Sequence, residues 1–416
     1  MPAIQRLHDA RRGRGRLSLF LGAAIIAGCA RDGGGSVPST TGLDAAPFGN
    51  ARGSAAAAQR QTRPPGASCD VLYSFGGTPD GANPQGGLTA LKGTLYGTTA
   101  SGGTNGTYGT VFSITTTGGE NVVYSFAGEP DAGIPLAGLA DVGGTLYGTT
   151  DNGGSHNGGA IVTIKKGKER VLYSFAGGSD GQNPQSTLID VRGTLYGTTS
   201  EAGSGGGGTV FSLTKDGVET PIYSFKGRPD GSASKGGLVY YKGAFYGTTN
   251  GGGTDGEGTV FKVTPGGTET VLHSFTGQPD GSEPVGSLIE YKGELYGTTY
   301  QGGANNTGSV FKITPTGTES ILYSFLAAND AELPDAGLIQ VNGTFYGTTF
   351  GSTNQQGGPG IFSVTTAGVE NQVCNFAPSE NAGAIAAPLV YFDGKLWGTL
   401  YSGLAHGQGG VFSTSL

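Results

Sequence analysis

The pentapeptide Leu95-Tyr96-Gly97-Thr98-Thr99 returns six more times along this chain with small changes. Its aromatic residue stands at 96, 147, 196, 246, 296, 346 and 397, so the spacing stays between 49 and 51 residues. Seven copies at one period constrain the fold more than any local motif. A unit of this size cannot bury both of its faces alone, so the units must pack on one another. The 83 glycines among 416 residues would by themselves suggest low complexity. They recur, however, at fixed places between short apolar runs, which is the pattern of a turn-rich β protein.

The fourth copy displays the unit. Residues 237–241 read as a strand, Lys242-Gly243 as a tight turn and residues 244–249 as a second strand. A glycine-rich loop follows over 250–258, then a third strand over 259–263, a turn at 265–267 and a fourth strand over 269–275. No window carries a competing helical period. Four antiparallel strands in about 50 residues are the content of one propeller blade. The first strand-like run, residues 71–75, is a fourth strand with nothing before it, and the last, residues 410–413, is a third with nothing after it. The chain is therefore expected to be all-β: a seven-bladed β-propeller over residues 70–416, four antiparallel strands per blade, closed by the N-terminal strand completing the last blade. Gly97 and its counterparts are expected to admit a ring or a backbone at close range, with Tyr96 and its counterparts filling the gaps between blades.

The succession LYGTT, a glycine pair, GTVFKI, VLYSF and PDG resembles the GloVer-type tandem repeat of bacterial surface-anchored proteins, across all seven copies. The resemblance implies an exported, anchored propeller and leaves its activity open. Copies two and seven depart most: Ile161-Val162 stands where others have Val-Phe, and Trp397 and Leu400 break the pentapeptide. The likeness to kelch repeats is architectural.

The first 16 residues carry Arg6, Arg11, Arg12, Arg14 and Arg16, and residues 17–28 are apolar. This is a secretory leader, too short to span a bilayer as a mature helix. Ile26-Ala27-Gly28-Cys29 resembles the bacterial lipobox, so residues 1–28 are expected to be removed and Cys29 lipidated. Ala30 follows where an inner-membrane retention signal would have Asp, which favours the outer membrane. Residues 29–69 comprise this Cys and a tether rich in Gly, Ala, Ser, Thr and Pro.

The long connections, fourth strand to first and second to third, share one face of the disc, and loops on a rigid scaffold carry function. Their recurrent residue is acidic: Asp80, Asp131, Asp180, Asp230, Asp280 and Asp330, with Glu380 in the seventh copy. Asp followed by Gly favours a tight turn; a ring of carboxylates facing a cationic ligand is the sharper alternative. The dense acidic spacing of a calcium loop is missing, so no metal is assigned. His156 and His406 are non-repeated polar residues on the same face, while His273 reads as a packed strand residue. No nucleophile elbow, zinc-protease motif or phosphate loop occurs, so no catalytic residue and no cofactor is assigned. Cys69 and Cys374 are free to pair or to stay reduced. The net charge of -7 comes without a basic stripe, which argues against nucleic acid. The chain is expected to be a monomer held to the membrane by its lipid. As a main reading, it is a non-enzymatic binding module for glycan or protein. The alternative is an envelope hydrolase or lyase acting on polysaccharide or peptide at the long-loop face. The leader makes a direct prediction: a clickable fatty acid should label the wild-type chain and not Cys29→Ala, and equal label in both removes the lipid.

Overall fold

The computed structural model describes residues 69–326, 332–351, 358–376 and 380–416. Cys29, the leader, the tether and Asp330 lie outside the described residues. The rest is a seven-bladed propeller. Blade 1 is typical, with strands Thr89–Leu91, Thr94–Thr99, Thr110–Ile114 and Glu120–Ser125 paired in that order. First strands of neighbouring blades face one another round the axis, and fourth strands form the rim. In blade 7, Asp70–Ser74 pairs with Gly410–Ser415, so the start of the described chain supplies the outer strand of the last blade. The closure expected from the sequence is thus what the chain forms.

The repeat motif is an interface motif. Each described hydrophobic cluster spans two adjacent blades, and there are seven, one per junction. The phenylalanine ending one blade's fourth strand meets the phenylalanine of the next blade's third strand edge to face. Phe75 lies 5.0 Å from Phe112, and Phe225 lies 4.9 Å from Phe261. That second ring also lies over the pentapeptide glycine. A Cβ on Gly97 would stand 2.5 Å from Phe112 Cζ and 2.8 Å from Leu88 Cδ2. Gly148 is the exception: Val162 replaces the ring, and a Cβ there would meet Leu139 Cδ2 at 2.9 Å and Val162 Cγ2 at 3.6 Å.

The two threonines divide the remaining work. The first donates across the junction to the next blade's inner loop: Thr98 to the Ala137 carbonyl at 2.9 Å, Thr248 to Gly286 at 3.1 Å and Thr298 to Ala336 at 2.9 Å. Thr399 of blade 7 donates to the Gly86 carbonyl at 3.3 Å, which brings the series back to the chain's beginning. The second threonine, Thr99, shares a hydrogen bond with Thr110 Oγ1 at 2.8 Å and donates to the Ser101 carbonyl at 2.9 Å, pinning the loop between them. Both hydroxyls are buried, so each needs a partner. In blade 7, Leu400 faces Gly410, and both hydroxyls are missing together.

The two long connections are also joined, which the sequence pattern does not show. In blade 1, Gly81–Ala82 pairs with Ser101–Gly102, and an equivalent ladder or bridge recurs in every other blade.

The acidic ring forms rim latches. Asp80 Oδ2 accepts the Tyr73 hydroxyl at 2.9 Å and the Gly76 N–H at 2.8 Å, while Oδ1 accepts the Gly81 N–H. Asp131, Asp180 and Asp230 hold Tyr124, Tyr173 and Tyr223 in the same way. A glutamate from the next blade's outer strand faces each aspartate. Burial, followed by the aspartate's charge, raises Glu120, Glu169 and Glu269 to about 7 and Glu219 to about 8. The outer strands are further tied by a disulfide between Cys69 and Cys374, whose Cα atoms lie 5.4 Å apart. Across 305 residues of sequence, such a bond contributes about 3–5 kcal/mol.

Two predictions follow from this packing. Alanine at Gly97, Gly247 or Gly297 should destabilise by about 1–3 kcal/mol through overpacking, whereas Gly148→Ala should cost least of the seven in thermal melts. A uniform cost would contradict the ring contact. The latch glutamates have folded values above the ordinary carboxylate range, so their contribution is complete below about 4.5 and fades as pH rises through 7 to 8. Half-exposed, each is worth about 1 kcal/mol, and the melting temperature should drop by about 5 °C between pH 5 and pH 8.5. Glu219→Gln should melt like the wild type at pH 5 and higher at pH 8.5; no gain at pH 8.5 refutes the assignment.

Candidate functional site at the mouth of the central channel

The channel opens on the long-loop face through a narrow neck of about 90 Å³. Each blade contributes the same inner-loop position, four residues before its first strand. Gly86 and Gly286 allow neighbouring loops to touch there: a Cβ on Gly86 would stand 2.4 Å from the Ala137 carbonyl oxygen, and one on Gly286 2.5 Å from Gly337 N. Round the ring, the side chains at that position are Gln85, Leu136, Gln185, Lys235, Val285, Asp335 and Ala386. The scaffold repeats while the chemistry does not. One sector is neutral or apolar, and the other holds a lysine and an acid.

The next layer outward is the residue after each pentapeptide, and it too breaks the repeat: Asp151 and Tyr300 stand where blade 1 has Ala100. Asp151 Oδ1 accepts the Gln185 amide at 2.8 Å, which favours its ionised form against the burial that raises it. Asp335 receives no comparable donor among the described residues. Burial raises it to about 7, and Lys235 offsets only part of that. Lys235 is exposed and acts on both acids through its charge. Among the described residues neither acid of the mouth forms an ion pair with Lys235. Burial also raises Tyr300, with the charges of Asp335 and Glu283 adding to it.

This constellation can exchange a proton near neutral pH. Asp335 is half protonated there; burial raises Asp151 as well, with the Gln185 amide opposing that rise, and the Lys235 charge acts on both. Carboxyls raised by burial in a cleft, beside a charged partner, are candidates for acid and base roles.

The residues singled out in the sequence lie elsewhere. Asp80, Asp131, Asp180, Asp230 and Asp280 sit one per junction at the rim, each on its own outer-strand tyrosine or histidine, and are not brought together. His156 and His406 are exposed at loop tips in blades 2 and 7, separated by blade 1. Lys235, Asp335 and Asp151 were missed, because each occurs once and belongs to no motif. Aligning the seven copies and asking where chemistry varies most would have found the column.

No curated protein matches the chain. Among solved structures it is similar to a gluconolactonase from Xanthomonas campestris, at 14% identity and a TM-score of 0.42 over 85% of this chain and 98% of that one. It is also similar to a calcium-binding protein, regucalcin, from Agrobacterium tumefaciens, at 13% identity and a TM-score of 0.42 over 84% and 94%. At that distance the likeness is one of fold. The main functional expectation, a non-enzymatic binding module, is corrected by these neighbours. They include a gluconolactonase and a calcium-binding protein, descriptions that belong to those proteins. The model of the Gloeobacter/Verrucomicrobia repeat matches residues 59–205 and 190–412. That match covers nearly every blade, and with it the interface motif on which the ring is built, so the chain belongs to the Gloeobacter/Verrucomicrobia repeat family.

Proposed function

We propose that this protein is a hydrolase of cell-envelope polysaccharide, working at the channel mouth by general acid–base catalysis. The observation that carries the reading is Asp335: a half-buried carboxyl raised to about 7 in a neck that also holds a lysine free of an ion pair. Asp335 protonates the leaving-group oxygen, and Asp151, raised by burial into the range of a general base and hydrogen-bonded by Gln185, takes the proton of the attacking water. Lys235 favours the ionised form of both acids and so tunes the pH at which they exchange protons. Gln85, Gln185 and Tyr300 supply the neutral hydrogen-bonding groups that sugar hydroxyls need.

The protein works outside the cytoplasm in this reading, with the leader removed and Cys29 holding it to the envelope, on the outer membrane. The Cys69–Cys374 disulfide supports an oxidising compartment.

The test is a screen of envelope polysaccharides, and of peptides as a second arm, for release of new ends. Wild type should turn over a polysaccharide with a pH limb near 7, and Asp335→Asn should lower kcat by about 10²- to 10⁴-fold while melting normally. Lys235 favours the ionised form of Asp335, so Lys235→Met should move the limb to higher pH. Turnover of peptides alone would replace the substrate class, and an active Asp335→Asn enzyme would remove the mechanism.

A further inference from the structure

One rim latch is built differently. In blade 4 the tyrosine of the outer strand is replaced by His273, whose Nε2 lies 3.0 Å from Asp280 Oδ2. Glu319, which opens the outer strand of blade 5, completes the group, and the three ligand atoms all lie within 4.8 Å of one another. In the other latches the phenol spends its proton on the aspartate. An imidazole brings a nitrogen lone pair instead, so the same two acids become part of a nitrogen and oxygen donor set.

The geometry suits an ion. Two donors each about 2.1 Å from a tetrahedral ion stand about 3.4 Å apart, so the 3.0 Å between His273 and Asp280 needs to open by only a few tenths of an ångström. Glu319 Oε1 is buried without a hydrogen-bond partner, as the matching oxygens of Glu120, Glu169, Glu219 and Glu269 are, so acceptor capacity is left over at the rim, and here alone an imidazole nitrogen faces it. The His273 ring is held edge-on against Phe275, at 4.8 Å and 81°, which limits its rotation. The side chains of His273 and Asp280 remain 22% and 16% exposed, enough for an ion to enter from solvent. One imidazole with two carboxylates favours a borderline cation over calcium or magnesium, which prefer oxygen alone.

We propose that His273, Asp280 and Glu319 bind one divalent transition-metal ion, zinc by their donor chemistry, as a clamp between the rims of blades 4 and 5. Three protein ligands leave a fourth position to water. The clamp is independent of the reaction at the channel mouth and joins two outer strands where four other junctions carry a tyrosine–aspartate latch.

The experiment is calorimetric titration of zinc chloride into the chelator-treated full chain, beside His273→Tyr. That substitution installs the residue found at Tyr73, Tyr124, Tyr173 and Tyr223, so the variant keeps a latch the fold already uses. Wild type should bind one equivalent, and His273→Tyr should weaken binding by more than about tenfold. Zinc should raise the melting temperature of the wild type and not of the variant. Cobalt should give a visible ligand-field spectrum that the variant loses. A control lacking both exposed loop histidines, His156→Ala with His406→Ala, should bind as the wild type does. Absence of binding in the wild type, equal binding in His273→Tyr, or loss in the control would each overturn the site.

Discussion

Everything in this molecule depends on the junction between blades. No blade encloses a core of its own; the buried clusters lie between neighbours, and the pentapeptide supplies what the junction needs. Glycine makes room for a phenylalanine ring, the aromatic before it reaches towards the next blade, and the first threonine donates to the next blade's inner loop. Tyr196 and Phe245, from adjacent blades, lie 4.3 Å apart, as do Tyr296 and Phe345. Because each contact crosses a junction, no copy is stable without both neighbours, and only a closed ring leaves none unpaired.

A scaffold so regular makes its irregularities informative. The rim acids are regular, and they serve regular purposes: holding a tyrosine and closing a turn. The mouth of the channel is irregular. Its seven equivalent positions carry six kinds of neutral or charged side chain, and the charged ones gather in one sector. The backbone there repeats because the junction requires it. The side chains differ because nothing in the junction depends on them.

The same division explains what could be read from the sequence. Period, strand count and ring closure were legible because they rest on recurring residues whose roles follow from size and turn chemistry. The glycine's role was legible in kind, while the identity of the ring above it needed the register of Gly97 opposite Phe112. The acids were visible but not their direction. Asp80 lies seven residues beyond Tyr73, and only the folded loop turns it outward to that hydroxyl. Lys235 and Asp335 were invisible because a single residue in a column of Gln, Leu, Val and Ala has no motif to announce it. The disulfide was left open because outer strands splay. Cys69 and Cys374 are nonetheless buried together in the cluster of the last junction, where the two strands still touch.

The strand Asp70–Ser74 has one more consequence. It is synthesised hundreds of residues ahead of Gly410–Ser415, the only strand it pairs with. The earliest piece of the disc to leave the ribosome is therefore the last to find its place, and until the final repeat is made the nascent chain holds an unpaired edge at each end. Closure is deferred until the last repeat is made, so a chain cut short at any blade is left open and unprotected, while one that holds all seven gains its seal in a single late event.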